Sequence, residues 1–219
     1  MIVKSMNSKE LINEIAKDLP MVTKKASYLT EGLRREAIKS KNKHICRIFN
    51  YKSKQLNDWF IVANHYIDKA TFAVYVCYID EYGFNGIAVS SDTQNLAHYT
   101  PHFIERYNQR FLKQDYMEKK ELFKRFVLNN AIGTGIESFD NEENKYKHFV
   151  RFQEGIGLGF VEHFHNLPFS IIIHHKTYIS NEMIHNGQRL HYEKSGERFK
   201  KIWQENHKRI RIEQYNLAS

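Results

Sequence analysis

The chain of 219 residues is poor in the residues that staple or interrupt a fold, with two cysteines, three prolines and ten glycines. Two thiols cannot build a disulfide framework. Cys46 and Cys77 sit in apolar stretches and read as buried free thiols of a reducing compartment. So little proline and glycine excludes collagen-like and linker-dominated chains. Long apolar runs are missing too, the longest being Phe72 to Ile79, too short for a bilayer-spanning helix. The opening MIVKSMNSKELINEIAKD has no apolar h-region and does not read as a signal peptide. A soluble, cytoplasmic protein without a membrane partner is the expectation.

What is present is a large core and an excess of positive charge. Hydrophobic residues make up 42% of the chain and aromatic ones 14%, enough to bury a substantial interior. The 33 Lys and Arg exceed the 25 Asp and Glu, giving a net charge of +8. The excess sits at the ends: residues 1–50 hold 11 basic and 5 acidic groups, whereas 51–100 are net negative. A basic surface concentrates polyanions, and RNA or DNA is the commonest one inside a cell. Twelve histidines add groups able to exchange protons near neutral pH.

The periodicity predicts an α+β protein of a single domain. Residues 1–42 read as helical, 43–180 as an antiparallel sheet with helices inside 100–130, and 181–219 as a helical tail. Leu11, Ile12, Ile15 and Leu19 follow helical spacing after a cap at Asn7 or Ser8, and Pro20 is expected to end that helix. A second helix is expected from Thr23 to Lys39, burying Ala26, Leu29, Leu33 and Ile38. Its outer face carries Lys24, Lys25, Arg34, Arg35 and Lys39. Strands are expected near 44–50, 58–67, 71–80 and 86–91, with Asn85-Gly86 available for a turn. Thr100-Pro101 marks a helix start, since Thr caps well and Pro suits the first helical position. Phe103, Ile104, Tyr107 and Phe111 would face inward, and a further helix is expected near 116–130. Three strands should follow at 145–153, 156–165 and 169–179, and a charged helix near 188–212.

Several chemistries lack a motif. There is no HExxH, no zinc-spaced cysteine pair, no Walker A and no GxSxG, and Gly155-Ile-Gly157-Leu-Gly159 is followed by Phe160, which breaks GxGxxG. His163 and His165 alternate on one strand and His174-His175 lie on the next. A turn at Asn166-Leu167-Pro168 pairs His163 with Ile171 and His175 with Gly159, four residues apart. That is about 13–14 Å along the ladder, too far for shared ligation. No metal and no cofactor is expected. The same register sets Gly157 and Gly159 beside Thr177 and His175, which would leave either a shallow polar notch or room for close packing.

The sharpest constellation is His102, Arg106 and Arg110, each four residues apart, so that one helix ridge carries three groups about 6 Å apart. Arginine binds phosphate bidentately and a histidine can take or give a proton, so the ridge suits a phosphodiester.

The run His102-x-x-x-Arg106-x-x-x-Arg110, followed by helix, strands and Lys176-Thr177-Tyr178-Ile179-Ser180, resembles prophage- and toxin-associated domains of the barnase/RelE-like superfamily of bacterial RNase toxins. The resemblance covers about residues 99–180; the β-rich segment 43–91 and both helical ends lie outside it. It implies an RNA-binding protein with metal-independent cleavage. His102 would then be the acid–base group, Arg106 and Arg110 the phosphate clamp, and Thr177 with Lys176 or His175 the opposite wall. Two alternatives stand beside it. One is a non-catalytic nucleic-acid binder using Lys24 to Arg47 and Lys194 to Arg211. The other is an assembly protein that works with a protein partner or a second copy.

Overall fold

Asn7 accepts backbone bonds from Lys9 and Glu10 while the Glu10 carboxylate accepts from the Asn7 backbone, a reciprocal cap that starts helix α1 (Ser8–Ser40). The computed structural model describes residues 1–67, 69–90, 94–130, 133–140, 145–184 and 193. Pro20 does not end the helix, which continues through it as one element of 33 residues. An interior proline costs roughly 3 kcal/mol. Ile12, Ile15, Val22 and Ala26, on both sides of it, are wholly inaccessible, and burying a Val or Ile contributes about 1.5–3 kcal/mol. Pro20 itself is exposed, so its break in the hydrogen-bond ladder faces water. Ala37 is buried where Ile38 was expected, and Ile38 points outward at 63% exposure.

Five strands follow: β1 (His44–Lys52), β2 (Asp58–Tyr66), β3 (Lys69–Asp80), β4 (Gly83–Ser90) and β5 (Asn95–Tyr99). The last was not expected from the sequence. The β3–β4 hairpin turns at Glu81-Tyr82, with Asp80 Oδ1 accepting from the Tyr82 and Gly83 backbones and Gly83 at φ 125°. Asn85-Gly86 is therefore strand and not turn. Gly86 lies where any side chain would overlap the Phe123 ring. Thr100 and Pro101 open helix α2 (Pro101–Tyr107) as expected. The chain then widens into a π-helical turn, Asn108–Leu112, which takes Phe111 off the buried stripe to 39% exposure. Helix α3 (Lys119–Asn129) and strands β6 (Thr134–Asp140), β7 (Lys145–Arg151), β8 (Gly155–His163) and β9 (Ile171–Ser180) complete the order, with a short 3₁₀ turn at Asn181–Met183. The stretch after Gly133 contains β6, a strand the sequence did not lead one to expect. The expected tail helix 188–212 and the basic segment Lys194 to Arg211 lie outside the described residues.

The nine described strands form one sheet in the order β1-β2-β3-β4-β5-β9-β8-β7-β6. The fold is α+β, but its sheet is mixed where an antiparallel one was expected. Two antiparallel meanders, β1–β5 and β6–β9, meet at a parallel pair in which residues 95–99 lie beside 171–175. Short hairpin links predict antiparallel neighbours only within each meander. The seam between them is made by chain that leaves through α2 and α3 and returns through β6–β8, so no short link announces it.

Both sheet faces are covered in the first meander. Trp59, Ile61, Val76, Ile87, Leu96 and Ile172 pack beneath α1. Phe60, Tyr75, Tyr99 and Tyr178 pack beneath Phe103 and Tyr107 of α2 and Phe123 and Phe126 of α3. Residues 59, 60 and 61 are all buried because neighbours alternate between two cores. Asp18 of α1, itself buried, accepts from Trp59 Nε1 at 2.9 Å and Asn57 Nδ2 at 2.8 Å and fixes the helix to β2. On the other side, Glu154 accepts from Tyr107, Asn129 and Asn130 and ties α2 and α3 to the β7–β8 turn.

Candidate functional site

The Thr100 hydroxyl caps α2 and also donates to the His175 carbonyl at 3.1 Å, which seats the helix start on β9. His102 is exposed, and Arg106 Nε donates to its Nε2 at 3.3 Å, so that nitrogen bears the lone pair. Arg106 also donates to Gln109 at 2.9 Å. Arg110 leaves the ridge, because the π-helical turn carries its guanidinium to the Tyr178 carbonyl. Partial burial, and then the charge of Arg106, hold the Arg110 guanidinium below the usual arginine range.

The expected opposite wall is not there. Tyr178 packs its ring on Phe103 at 5.8 Å and Tyr107 at 5.2 Å, so it faces α2, and Thr177 just before it is directed to the other face of the sheet. A β-bulge makes Lys176 the extra residue between His175, opposite Gly159, and Thr177, opposite Leu158. Lys176 Nζ lies 5.4 Å from the centre of the Phe160 ring, which stacks on His174 on the α1 side. His175 is on the α2 side but buried, stacked on Tyr99 at 4.6 Å. Burial, then the charges of nearby histidines, push its imidazole well below the usual range, which keeps it neutral. Thr177, Lys176 and His175 therefore do not meet His102, Arg106 and Arg110. The expected register holds at His163–Ile171 and Gly159–His175; past the bulge Gly157 faces Tyr178 instead of Thr177. The glycines serve packing. A Cβ on Gly157 would lie 2.8 Å from Val150, and one on Gly159 would overlap the His174 carbonyl.

The outer face of α1 is as expected. Lys24, Lys25, Arg34, Arg35 and Lys39 are all exposed. Arg34 and Arg35 reach Glu31 at 3.1 and 3.4 Å, and Arg47 of β1 pairs with Glu36. Between this part of α1 and β1 lies a cleft of about 260 Å³ whose lining includes Tyr28, Leu33, Arg35, Arg47 and Phe49. Tyr28 was not singled out in the sequence, although its helical phase with Lys24 and Arg35 was available to find it.

A second grouping escaped sequence reasoning altogether. Ser8 Oγ donates to Glu162 Oε2 at 2.7 Å, and the same oxygen lies 2.9 Å from His174 Nε2. His174 Nδ1 then meets His98 Nδ1 at 3.0 Å across the seam, and His98 Nε2 meets Asn85 Oδ1 at 2.9 Å. The Asn85 amide is oriented by its Nδ2 donating to the Gly83 carbonyl, so His98 carries its proton on Nε2. His98 Nδ1 is then an acceptor and His174 Nδ1–H the donor, while His174 Nε2 faces the Glu162 carboxylate. Burial above all, then the charges of His174 and Lys176, push the His98 imidazole down to about 3. The bond from His174 holds the Glu162 carboxyl below its usual value. Only the parallel pairing brings residues 98 and 174 together, and no local motif encodes it.

Among the described residues no three His, Cys, Asp or Glu side chains gather as metal ligands. His163 and His165 are exposed, and His174 and His175 point to opposite faces. Also among the described residues, no helix is long and apolar enough to cross a membrane. No protein-family model, curated protein or solved structure matches the chain.

Proposed function

We propose that this chain is an RNA-binding protein whose contact surface is the outer face of α1. One observation carries the reading: Lys17, Lys24, Arg35 and Lys39 fall on the same outward side of the helix and are all exposed, over a length of about 33 Å. A single strand laid along such a row meets cations at steps of about 6 to 16 Å, and release of its counterions drives binding. The test is a salt titration of a fluorescent RNA. Affinity should fall steeply with salt, and replacing Arg34, Arg35 and Lys39 together with Ala should flatten the slope. A slope near zero for the wild type would end the reading.

Cleavage is the second reading, supported by His102 Nε2 presenting its lone pair toward Arg106. In metal-independent cleavage the RNA 2′-hydroxyl attacks its own phosphorus, a base takes the hydroxyl proton and an acid protonates the leaving oxygen. With Arg106 turned from His102 to the phosphate, the freed Nε2 of His102 would take the 2′-hydroxyl proton and solvent water would protonate the leaving 5′ oxygen. RNA incubated in EDTA with the wild type and with His102→Gln decides it. Cleavage lost only in the variant supports an enzyme like the barnase/RelE-like toxins. Binding without cleavage leaves a binding protein, and neither activity favours assembly with a protein partner.

A further inference from the structure

The cationic row explains attraction to any polyanion, single-stranded or duplex. The cleft beside it has features that the row does not need. Its floor is apolar, formed by Leu29, Leu33 and Phe49, and its rim is charged. At about 260 Å³ it falls below the roughly 300–1,000 Å³ of pockets that enclose drug-sized ligands, which suits one flat ring system.

Tyr28 stands at the edge of this cleft with 73% of its surface exposed. A large aromatic side chain turned to water on a basic helix face is what base stacking requires, because every nucleobase has a π-face. Lys25 Nζ lies over one face of the ring, 5.5 Å from its centre, which leaves the opposite face for a base.

Gly32 supplies an independent observation. It sits inside α1, where glycine is less favourable than alanine, and it lines the cleft. A Cβ built there meets nothing within 4 Å, so packing does not require the missing side chain. Because Gly32 lines the cleft, a long side chain there would crowd its mouth.

The rim also carries Glu31 and Glu36. Each is already paired: Glu31 with Arg34 and Arg35, Glu36 with Arg47. Arg35 uses Nε and Arg47 uses Nη2 in those pairs, and a guanidinium has five N–H donors. The lining itself is balanced, two carboxylates against two guanidiniums, and Arg34 and Lys25 just outside it bring the count around the cleft to four cations against two anions, so an anion is met by guanidinium donors while the carboxylates stay paired.

Resting on the RNA-binding reading, we propose that this cleft takes one unpaired nucleobase of a single strand, stacked on Tyr28, with the adjoining phosphate held by Arg35 and Arg47. A base inside a duplex keeps both faces stacked on its neighbours and cannot enter. The subsite thus makes the protein prefer single-stranded RNA.

The test compares wild type, Tyr28→Phe, Tyr28→Ala and Gly32→Leu by fluorescence anisotropy at low salt. The probes are a ten-nucleotide oligouridylate, an oligoadenylate of the same length, and an RNA duplex of ten base pairs. The wild type and Tyr28→Phe should bind the single strands more tightly than the duplex. Tyr28→Ala and Gly32→Leu should lose roughly ten-fold in single-strand affinity and keep their duplex affinity. Leucine is a better helix former than glycine, so an unchanged or raised melting temperature for Gly32→Leu separates blocking from unfolding. A wild type that binds none of the probes overturns the RNA-binding reading and the subsite with it. A wild type that binds, with both variants unchanged or weakened equally on duplex and single strand, overturns the subsite alone.

Discussion

The outer face of α1 and the surroundings of β9 are both rich in basic and imidazole groups, yet they hold them differently. On α1 the long side chains stand in water, and the ion pairs that Arg34 and Arg35 make with Glu31 are exposed and worth little to stability. Around β9 the comparable groups bond inward: Arg110 to the Tyr178 carbonyl, His174 to Glu162 and His98, and His175 among aromatic rings. A count of charges treats the two regions alike. The structure separates cations available to a partner from polar groups committed to the fold, and substitutions in the two regions should fail in different assays.

The largest expected effect is on stability in acid, and it belongs to β9. Imidazoles held neutral by burial bind fewer protons folded than unfolded, so stability falls as pH drops from about 6.5 to about 3, the window set by His98. His175 acts in the same direction. Protonation of His98 would also set two N–H donors against each other at the His174 bond. The loss traceable to His98 is at most on the order of 5 kcal/mol. Urea unfolding across that range should show the slope shrinking in His98→Gln and unaltered in Lys24→Ala. An identical slope in wild type and His98→Gln would remove the contrast.

Next in size is the response of RNA binding to charge. Replacing Lys24, Arg35 and Lys39 with Ala should lower the salt slope on a single strand by about 2, at roughly 0.7 per lost phosphate contact. Folding stability should move by no more than about 0.5 kcal/mol, as at ordinary surface sites. Arg106→Ala should leave most of the slope in place. If it flattens the slope as much as the triple variant does, the ridge on α2 is the binding surface after all.

The smallest effect sharpens the comparison from the other side. Arg110→Ala removes a bond to the Tyr178 carbonyl and should cost about 0.5–1.5 kcal/mol of stability with RNA affinity intact. Thermal unfolding and anisotropy on one preparation would report both quantities, and an affinity loss without a stability loss would return Arg110 to the phosphate clamp.

What the sequence could tell follows the same division. Local signals served well: Thr100-Pro101 started α2, the Asn166 turn set the β8–β9 register up to Gly159, and the exposed cations of α1 were correctly turned outward. Pro20 misled because a breaker's local cost was outweighed by the stripe it interrupts. Thr177 misled because strand alternation and the bulge at Lys176 send it to the far face. His98 was invisible because β5 is five residues long and its partner lies 76 positions away.

That separation also bears on how the molecule assembles. Closing a hairpin of a few residues costs little chain entropy, whereas joining positions 98 and 174 costs roughly 4 kcal/mol by the logarithmic loop law. Each meander can zip up from its own turns, but the two can register only after α2, α3 and three strands have taken shape between them. The seam should therefore be the last part of the sheet to acquire protection in pulse-labelled hydrogen exchange. The amides of 95–99 and 171–175 would lag those of β2 and β3, which makes this parallel pair the slow step in the kinetics of a sheet otherwise built from neighbours.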